Sequence, residues 1–202
     1  TGVFISGSLN NGSGNITLAA YNHVEGINCV ASGTGSHAEG FLTTTFGRTA
    51  HAEGYGTYAY GESSHAEGQA SIASGYASHA EGTSIATGRW AHSEGYNDAG
   101  NGAFGQISHS EGQSTTTFAD SSHSEGYSTI ASGYASHAEG ESSITFGSYS
   151  HAEGFGTIAG GDHSHAEGIG TIASGTGSHA QGKYNRTGVS GLFQVGRGTS
   201  SN

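Results

Sequence analysis

The histidines of this chain stand at a fixed interval. His23, His37, His51, His65 and His79 are each fourteen residues apart, and so are His109, His123, His137, His151, His165 and His179. Around most of them stands one pentad, Ser-His-Ala-Glu-Gly, as at Ser36 to Gly40, Ser64 to Gly68, Ser136 to Gly140 and Ser164 to Gly168. A short unit repeated at a fixed period cannot bury an apolar face alone and has to bury it against its neighbours. The chain is therefore expected to be a solenoid.

Seven residues after each pentad comes a looser one, also ending in glycine: Ser71-Ile-Ala-Ser-Gly75, Thr129-Ile-Ala-Ser-Gly133, Ser143-Ile-Thr-Phe-Gly147 and Thr171-Ile-Ala-Ser-Gly175. Two short strands per turn, each followed by a glycine corner, is the simplest reading. Helix is a poor competitor, because Gly is 38 of 202 residues and each interior Gly costs a helix about 1 kcal/mol relative to Ala. Strand alternation puts Ser36, Ala38 and Gly40 on one face and His37 and Glu39 on the other. The small face then points into a narrow coil. With no Pro in the chain, every turn can join a ladder, and about twelve turns stack at about 4.8 Å each.

The expected fold is all-β, a parallel β-roll or β-helix solenoid with 14-residue turns. Residues 1–20 are expected to form an N-terminal cap or linker, 21–182 the repeat, and 183–202 a C-terminal cap or transition to a further domain. The last segment carries Val189, Leu192, Phe193 and Val195, and atypical ends seal an exposed ladder. The period falters twice. Gly82 to Gly88 is one residue short, and Gly95 to Gly105 is long, with Tyr96-Asn-Asp-Ala-Gly-Asn-Gly102 reading as a bulged corner loop.

Hydrophobic residues make up only 32% of the chain, a content that with abundant Gly and Ser normally means disorder. The strict repeat argues against that. The net charge of −11 has one origin, the eleven repeat glutamates, since the other five acids balance the five bases. Nucleic acid is excluded as a partner, because phosphate binding needs a basic patch. Cys29 falls where other turns carry Thr43 or Ser71, on the small inward face, and reads as a buried free thiol. No apolar run approaches the eighteen or so residues of a bilayer span, so no membrane insertion is expected. Thr1 in place of Met is expected of an excised or processed piece.

The fourteen-residue unit with Ser-x-Ala-x-Gly in each half resembles the head repeats of YadA-type trimeric adhesins. That resemblance implies a left-handed parallel β-roll, three chains around one axis. The Ser-His-Ala-Glu-Gly form, with His179-Ala-Gln-Gly-Lys-Tyr-Asn185 and Phe193-Gln-Val-Gly-Arg-Gly-Thr-Ser200, is also similar to phage tail and neck appendage proteins of Gram-positive hosts. In those a self-cleaving peptidase-like chaperone domain often follows. The first likeness covers about residues 21 to 182 and the second about 179 to 202. No residue of this chain is assigned to self-cleavage.

A lone roll of this width has little core, so a homotrimer is also the physical expectation. Two faces compete for its interior. Ordinary patterning would bury the column Ile72, Ile85, Ile130, Ile144, Ile158 and Ile172 and leave His and Glu in water. The other reading turns the invariant face inward. It is favoured because that face hardly varies while the opposite strand does, and because a large apolar residue often follows the pentad glycine (Ile27, Phe41, Tyr55, Tyr96, Tyr127, Phe155, Ile169). The expected trimer-interface column is then His37, Glu39, His51, Glu53, His65, Glu67, His79, Glu81, His123, Glu125, His137, Glu139, His151, Glu153, His165 and Glu167. Buried glutamates need partners. Each His is expected to hydrogen-bond a Glu, which would raise the imidazole pKa and give stability lost as pH rises through it.

Catalysis is not expected. Adjacent strand residues face opposite ways, so Ser36 cannot reach His37 as nucleophile to base, and no carboxylate pair is singled out for glycoside hydrolysis. No cofactor is expected, apart from a candidate transition metal on a three-fold axis at the one His-x-His, His163-Ser-His165. The leading functional expectation is a non-enzymatic structural and receptor-binding fibre segment of a phage tail or related appendage, located on the virion and extracellular. Plain shaft is weighted above binding of host-surface glycan by outward aromatics at Tyr58, Tyr60, Phe46 and Phe146. The alternative is a bacterial cell-surface trimeric adhesin or surface fibre. An ice- or mineral-binding solenoid would want a flat Thr ladder, and the loose strand varies too much for that.

Overall fold

A computed structural model of the chain describes residues 4–6, 16–17, 19–96, 102–185 and 192–197. It contains no helix among the described residues and is a parallel β-solenoid in two units, Thr1–Gly100 and Asn101–Asn202. In the first, long strands such as His37–Phe41, His51–Tyr55 and His65–Gln69 pair in parallel, each residue opposite its equivalent one turn on: His37 with His51, Glu39 with Glu53, Phe41 with Tyr55. Two-residue strands, among them Thr44–Thr45, Tyr58–Ala59 and Ile72–Ala73, form a second parallel ladder. The second unit repeats the plan with His123–Tyr127, His137–Glu141, His151–Phe155 and His165–Ile169, and with Ile130–Ala131, Ile144–Thr145 and Ile158–Ala159.

Alternation puts the smallest side chains inside. Ala38, Ala52, Ala66, Ala138, Ala152 and Ala166 are fully buried, and so are Ala59, Ala73, Ala131 and Ala159 of the short strands. The remaining interior is hydroxyl-bearing, and many of its hydroxyls are satisfied locally, while those of Thr43, Thr117 and Ser164 are buried without a hydrogen-bond partner. Ser64 Oγ donates to Gly61 O at 2.7 Å, and Ser124 Oγ lies 2.8 Å from Thr129 Oγ1. A core of methyls and paired hydroxyls suits a coil too narrow for large side chains. Cys29 shares it, wholly buried, with its thiol donating to Gly40 O at 3.3 Å.

The pentad glycine corrects the alternation argument. Gly40 is exposed rather than inward, and it lies within the strand, with φ +111°. A Cβ on it would sit 2.2 Å from the carbonyl oxygen of Gly54, and the same holds turn after turn. The column is glycine because neighbouring turns touch through their backbones there. The corners proper come every seven residues and are mostly not glycine: Leu42, Thr49, Ser63, Ala70 and Ala77 all have φ between 50° and 60°. Each such L-residue carries about 1–2 kcal/mol of strain, offset by the ladder bonds on both sides.

The short turn is real. Ile72 pairs with Ile85 and His79 with His92, thirteen residues apart, and both ladders keep register. Of the long insertion, residues 97–101 lie outside the described residues, as do most of the expected N-terminal cap and Val189. Phe4–Ser6 pairs with His23–Glu25, and Phe193–Arg197 continues the ladder of the second unit in register, with Phe193 opposite His179.

Candidate functional site: a face of stacked histidines and glutamates

Because the long strands pair residue for residue, the pentad imidazoles within each unit lie one over another. In the first unit the ring centroids of His37, His51, His65 and His79 are 4.5, 4.7 and 4.8 Å apart with planes within 6° of parallel. In the second, His123, His137, His151 and His165 stack at 4.7, 4.8 and 4.9 Å. Beside them run the glutamates in the same register. Both columns are half-buried. His137, His151 and His165 and their glutamates therefore do share one face, as the pentad pattern implies.

The contacts between the columns are close and mixed. His151 Nε2 is 3.2 Å from Glu139 Oε1 and His179 Nε2 3.2 Å from Glu167 Oε1, both hydrogen bonds to the preceding turn. His37 Nε2 is 3.2 Å from Glu39 Oε2 in its own strand. His65 and His79 approach their own glutamates only to 3.6 and 3.8 Å. The Nε2 atoms of His51, His65, His79 and His137 are buried without a hydrogen-bond partner.

These surroundings overturn the expected sign of the imidazole shift. Burial pushes His37, His51, His65, His79, His123, His137 and His151 below the ordinary histidine value. Stacked neighbours add to it, as His23 does for His37 and His123 for His137, and the glutamates only partly oppose it. A second imidazolium 4.5–4.9 Å away is a cost that sequence spacing alone did not weigh.

The carboxyls alternate. Hydrogen bonding to Glu94, then burial, pushes Glu81 up to about 7, and hydrogen bonding to Glu125, then burial, does the same to Glu139. Glu53 is raised by burial and by Glu67. Between them, burial pushes Glu67 up, but hydrogen bonds with Glu81 and Glu53 and the nearby imidazoles bring it down. Hydrogen bonds to their neighbours hold Glu125 and Glu153 down as well. Glu81 and Glu139 thus share a proton with a neighbouring carboxylate near neutrality, which relieves the like-charge repulsion of a ladder at strand spacing.

Glu139, Glu153, Glu167 and Gln181, with the glycines beside them and Val195, line an open groove of about 600 Å³ in the second unit. Next to this face runs the residue after each pentad glycine. Tyr55, Tyr127 and Phe155 are half exposed, and Phe41 stacks on Tyr55 at 5.3 Å. The aromatics singled out for ligand contact lie elsewhere: Phe46, Tyr60 and Phe146 are exposed and Tyr58 half-buried, with Phe46 and Tyr60 stacked at 5.2 Å. The competing column of Ile72, Ile130, Ile144 and Ile158 is half-buried in the single chain.

For a metal, His-Glu-His sets such as His123, Glu125, His137 and His151, Glu153, His165 bring ligand atoms within 4.8 Å of one another. Parallel stacked rings aim their lone pairs side by side rather than at one point, which is poor geometry for a shared ion. His163 joins none of these sets. It is an exposed corner residue, φ 57°, stacked on Tyr149 at 5.0 Å, whereas His165 stands in the histidine column. Sequence reading also passed over Tyr76, Arg89 and Trp90, which meet at one corner of the first unit. Their signal was the sole Trp of the chain, standing in the turn where the period drops by one.

The architecture is that of a repetitive β-solenoid scaffold with an ionisable face in each unit and no distinguished catalytic centre among the described residues. Residues 52–78, 66–88, 124–150 and 166–184 match the family model described as YadA head domain repeat, in 2 copies. Together with the parallel solenoid, this makes the matched part of the chain similar to YadA head repeats. No curated protein matches the chain.

Proposed function

We propose that this chain is a non-enzymatic structural segment of a homotrimeric fibre, with the His–Glu face turned toward the three-fold axis, and that the fibre belongs to a phage tail or related appendage that attaches to a host surface. The observation that carries the trimer is the state of that face in the single chain: stacked imidazoles with buried, unsatisfied Nε2 atoms, a proton-sharing carboxyl ladder, an open groove, and a flanking ribbon of exposed aromatics. Exposed apolar surface of that extent beside polar groups lacking partners marks an interface. A second and third copy supply the cover with complementary groups, since an axis repeats the same residues in every layer.

Light scattering tests this. The native mass at pH 6 is expected to be three times the 20.2 kDa of the chain. At pH 8.5, above the value of about 7 for Glu81 and Glu139, the fully charged ladders are expected to loosen the trimer. A monomer at both pH values would refute the assembly. The phage assignment rests on the pentad form and the C-terminal Phe193-Gln-Val-Gly-Arg-Gly-Thr-Ser200. A bacterial surface adhesin is the second reading, favoured by the match to YadA head repeats. Antibody labelling of virions supports the first, and labelling of the bacterial surface alone moves the assignment to the second.

A further inference from the structure

We propose that Tyr76, Arg89 and Trp90 form a binding site for an acidic saccharide. Trp90 is 47% and Tyr76 43% exposed, at successive turns of one corner, held together by the Trp90 backbone amide donating to the Tyr76 backbone carbonyl at 2.8 Å. Their ring centroids are 5.9 Å apart with planes at 87°, so the two rings form a step rather than a stack. The Arg89 guanidinium lies 4.4 Å from the Trp90 centroid and 5.4 Å from that of Tyr76.

The charge of the corner gives the ligand its sign. Arg48, the corner arginine three turns before, is paired with Glu62 at 3.5 Å. Arg89 is paired with no carboxylate among the described residues, in a chain of net charge −11. The guanidinium lies over the Trp90 ring and beside that of Tyr76, and its planar fork of N–H donors fits the two oxygens of a carboxylate. The rings offer what the C–H faces of a pyranose pack against. A neutral sugar would leave the guanidinium unused, and a small aliphatic acid would leave the rings unused. A nucleic acid strand is disfavoured by the overall negative charge. What uses all three groups is a sugar ring bearing an acid, of the uronic or sialic kind. The site lies off the His–Glu face, and the inference does not rest on the trimer reading.

Trp90 is the only Trp, so its fluorescence reports on this corner alone. The assembled protein is titrated with an oligogalacturonate and, in parallel, with a neutral galacto-oligosaccharide of the same length. The expected result is a saturable change in emission with the acidic oligomer and none with the neutral one. The Arg89→Gln variant is expected to weaken the response about tenfold or more, and added salt to weaken it further. Arg48→Gln is the control and is expected to leave binding unchanged. No response, an equal response to the neutral oligomer, or equal losses in both variants would overturn the proposal. So would failure of acrylamide to quench Trp90 in the assembled protein, which would mean that another copy of the chain covers the corner.

Discussion

Replacing Gly154 by Ala tests the backbone contact on which the stacking of turns depends. Gly154 has φ +111°, and a Cβ there would lie 2.2 Å from the carbonyl oxygen of Gly168 and 3.0 Å from its nitrogen. An ordinary carbon–oxygen contact is no shorter than about 3.3 Å, so the overlap exceeds about 1 Å, and both partners are backbone that no rotamer change can move. The turns must separate locally, at the ladder joining His151–Phe155 to His165–Ile169. Losing about two ladder bonds at ~1 kcal/mol each, plus ~1–2 kcal/mol for an L-residue at positive φ, gives about 3–4 kcal/mol. Gly156 is the matched control. Its φ is +62°, and nothing lies within 4 Å of its added Cβ. Equivalent corners carry Leu42, Ala70 and Ser142, so Gly156→Ala is expected to cost only the strain, about 1–2 kcal/mol. Urea unfolding followed by far-UV circular dichroism measures both. In a solenoid, where each turn holds only its neighbours, Gly154→Ala is also expected to split the transition into two steps. Equal midpoint shifts for the two variants, or a shift under about 0.5 kcal/mol for Gly154→Ala, would refute the backbone-contact argument.

The carboxyl ladder makes a paired prediction. A carboxyl raised to about 7, as Glu139 is, contributes stability present below its unfolded value and lost as pH rises through 7. Glu139→Gln is therefore expected to raise the melting temperature at pH 8 and change it little at pH 4. Glu153, held low, should give no such gain as Glu153→Gln. The lowered imidazoles work in the opposite sense. Their contribution is present above the unfolded value of about 6.5 and lost as pH falls through the folded values, so His137→Gln is expected to flatten the acid side of a melting-temperature profile. The Cys29 thiol, wholly buried, should be inert to a thiol reagent in the native protein and react at once in denaturant. Ala152→Leu forces a large side chain into the fully buried alanine column and is expected to cost about 1–3 kcal/mol by thermal melting.

The period and the alternation within Ser-His-Ala-Glu made the solenoid, the alanine core, the buried thiol and the shared His–Glu face legible before any coordinates. Gly40 was misplaced because alternation assumes ordinary strand dihedrals, and a residue at φ +111° steps out of the pattern. The imidazole sign was missed because pairing His37 with Glu39 along one strand is visible in sequence, whereas stacking His37 on His51 emerges only when turns are laid in register. Carboxyl alternation is invisible for a deeper reason. Glu125, Glu139 and Glu153 sit in nearly identical pentads, and the difference between them arises from sharing protons along the ladder rather than from any local residue. Arg89 and Trp90 escaped because corners vary so freely that no pattern marks the one that is chemically distinct.

The thirteen-residue turn from Ile72 to Ile85 has a consequence for how such chains change length over generations. One residue is missing there, yet both ladders run on in step, so the corner acts as slack in the thread while the strands keep the stitch. A gene encoding such a chain can lose or duplicate a whole turn by unequal recombination, and the turns on either side meet partners nearly identical to those they had. Reach then becomes a heritable trait adjustable in increments of about 4.8 Å, selected separately from whatever the corners come to bind.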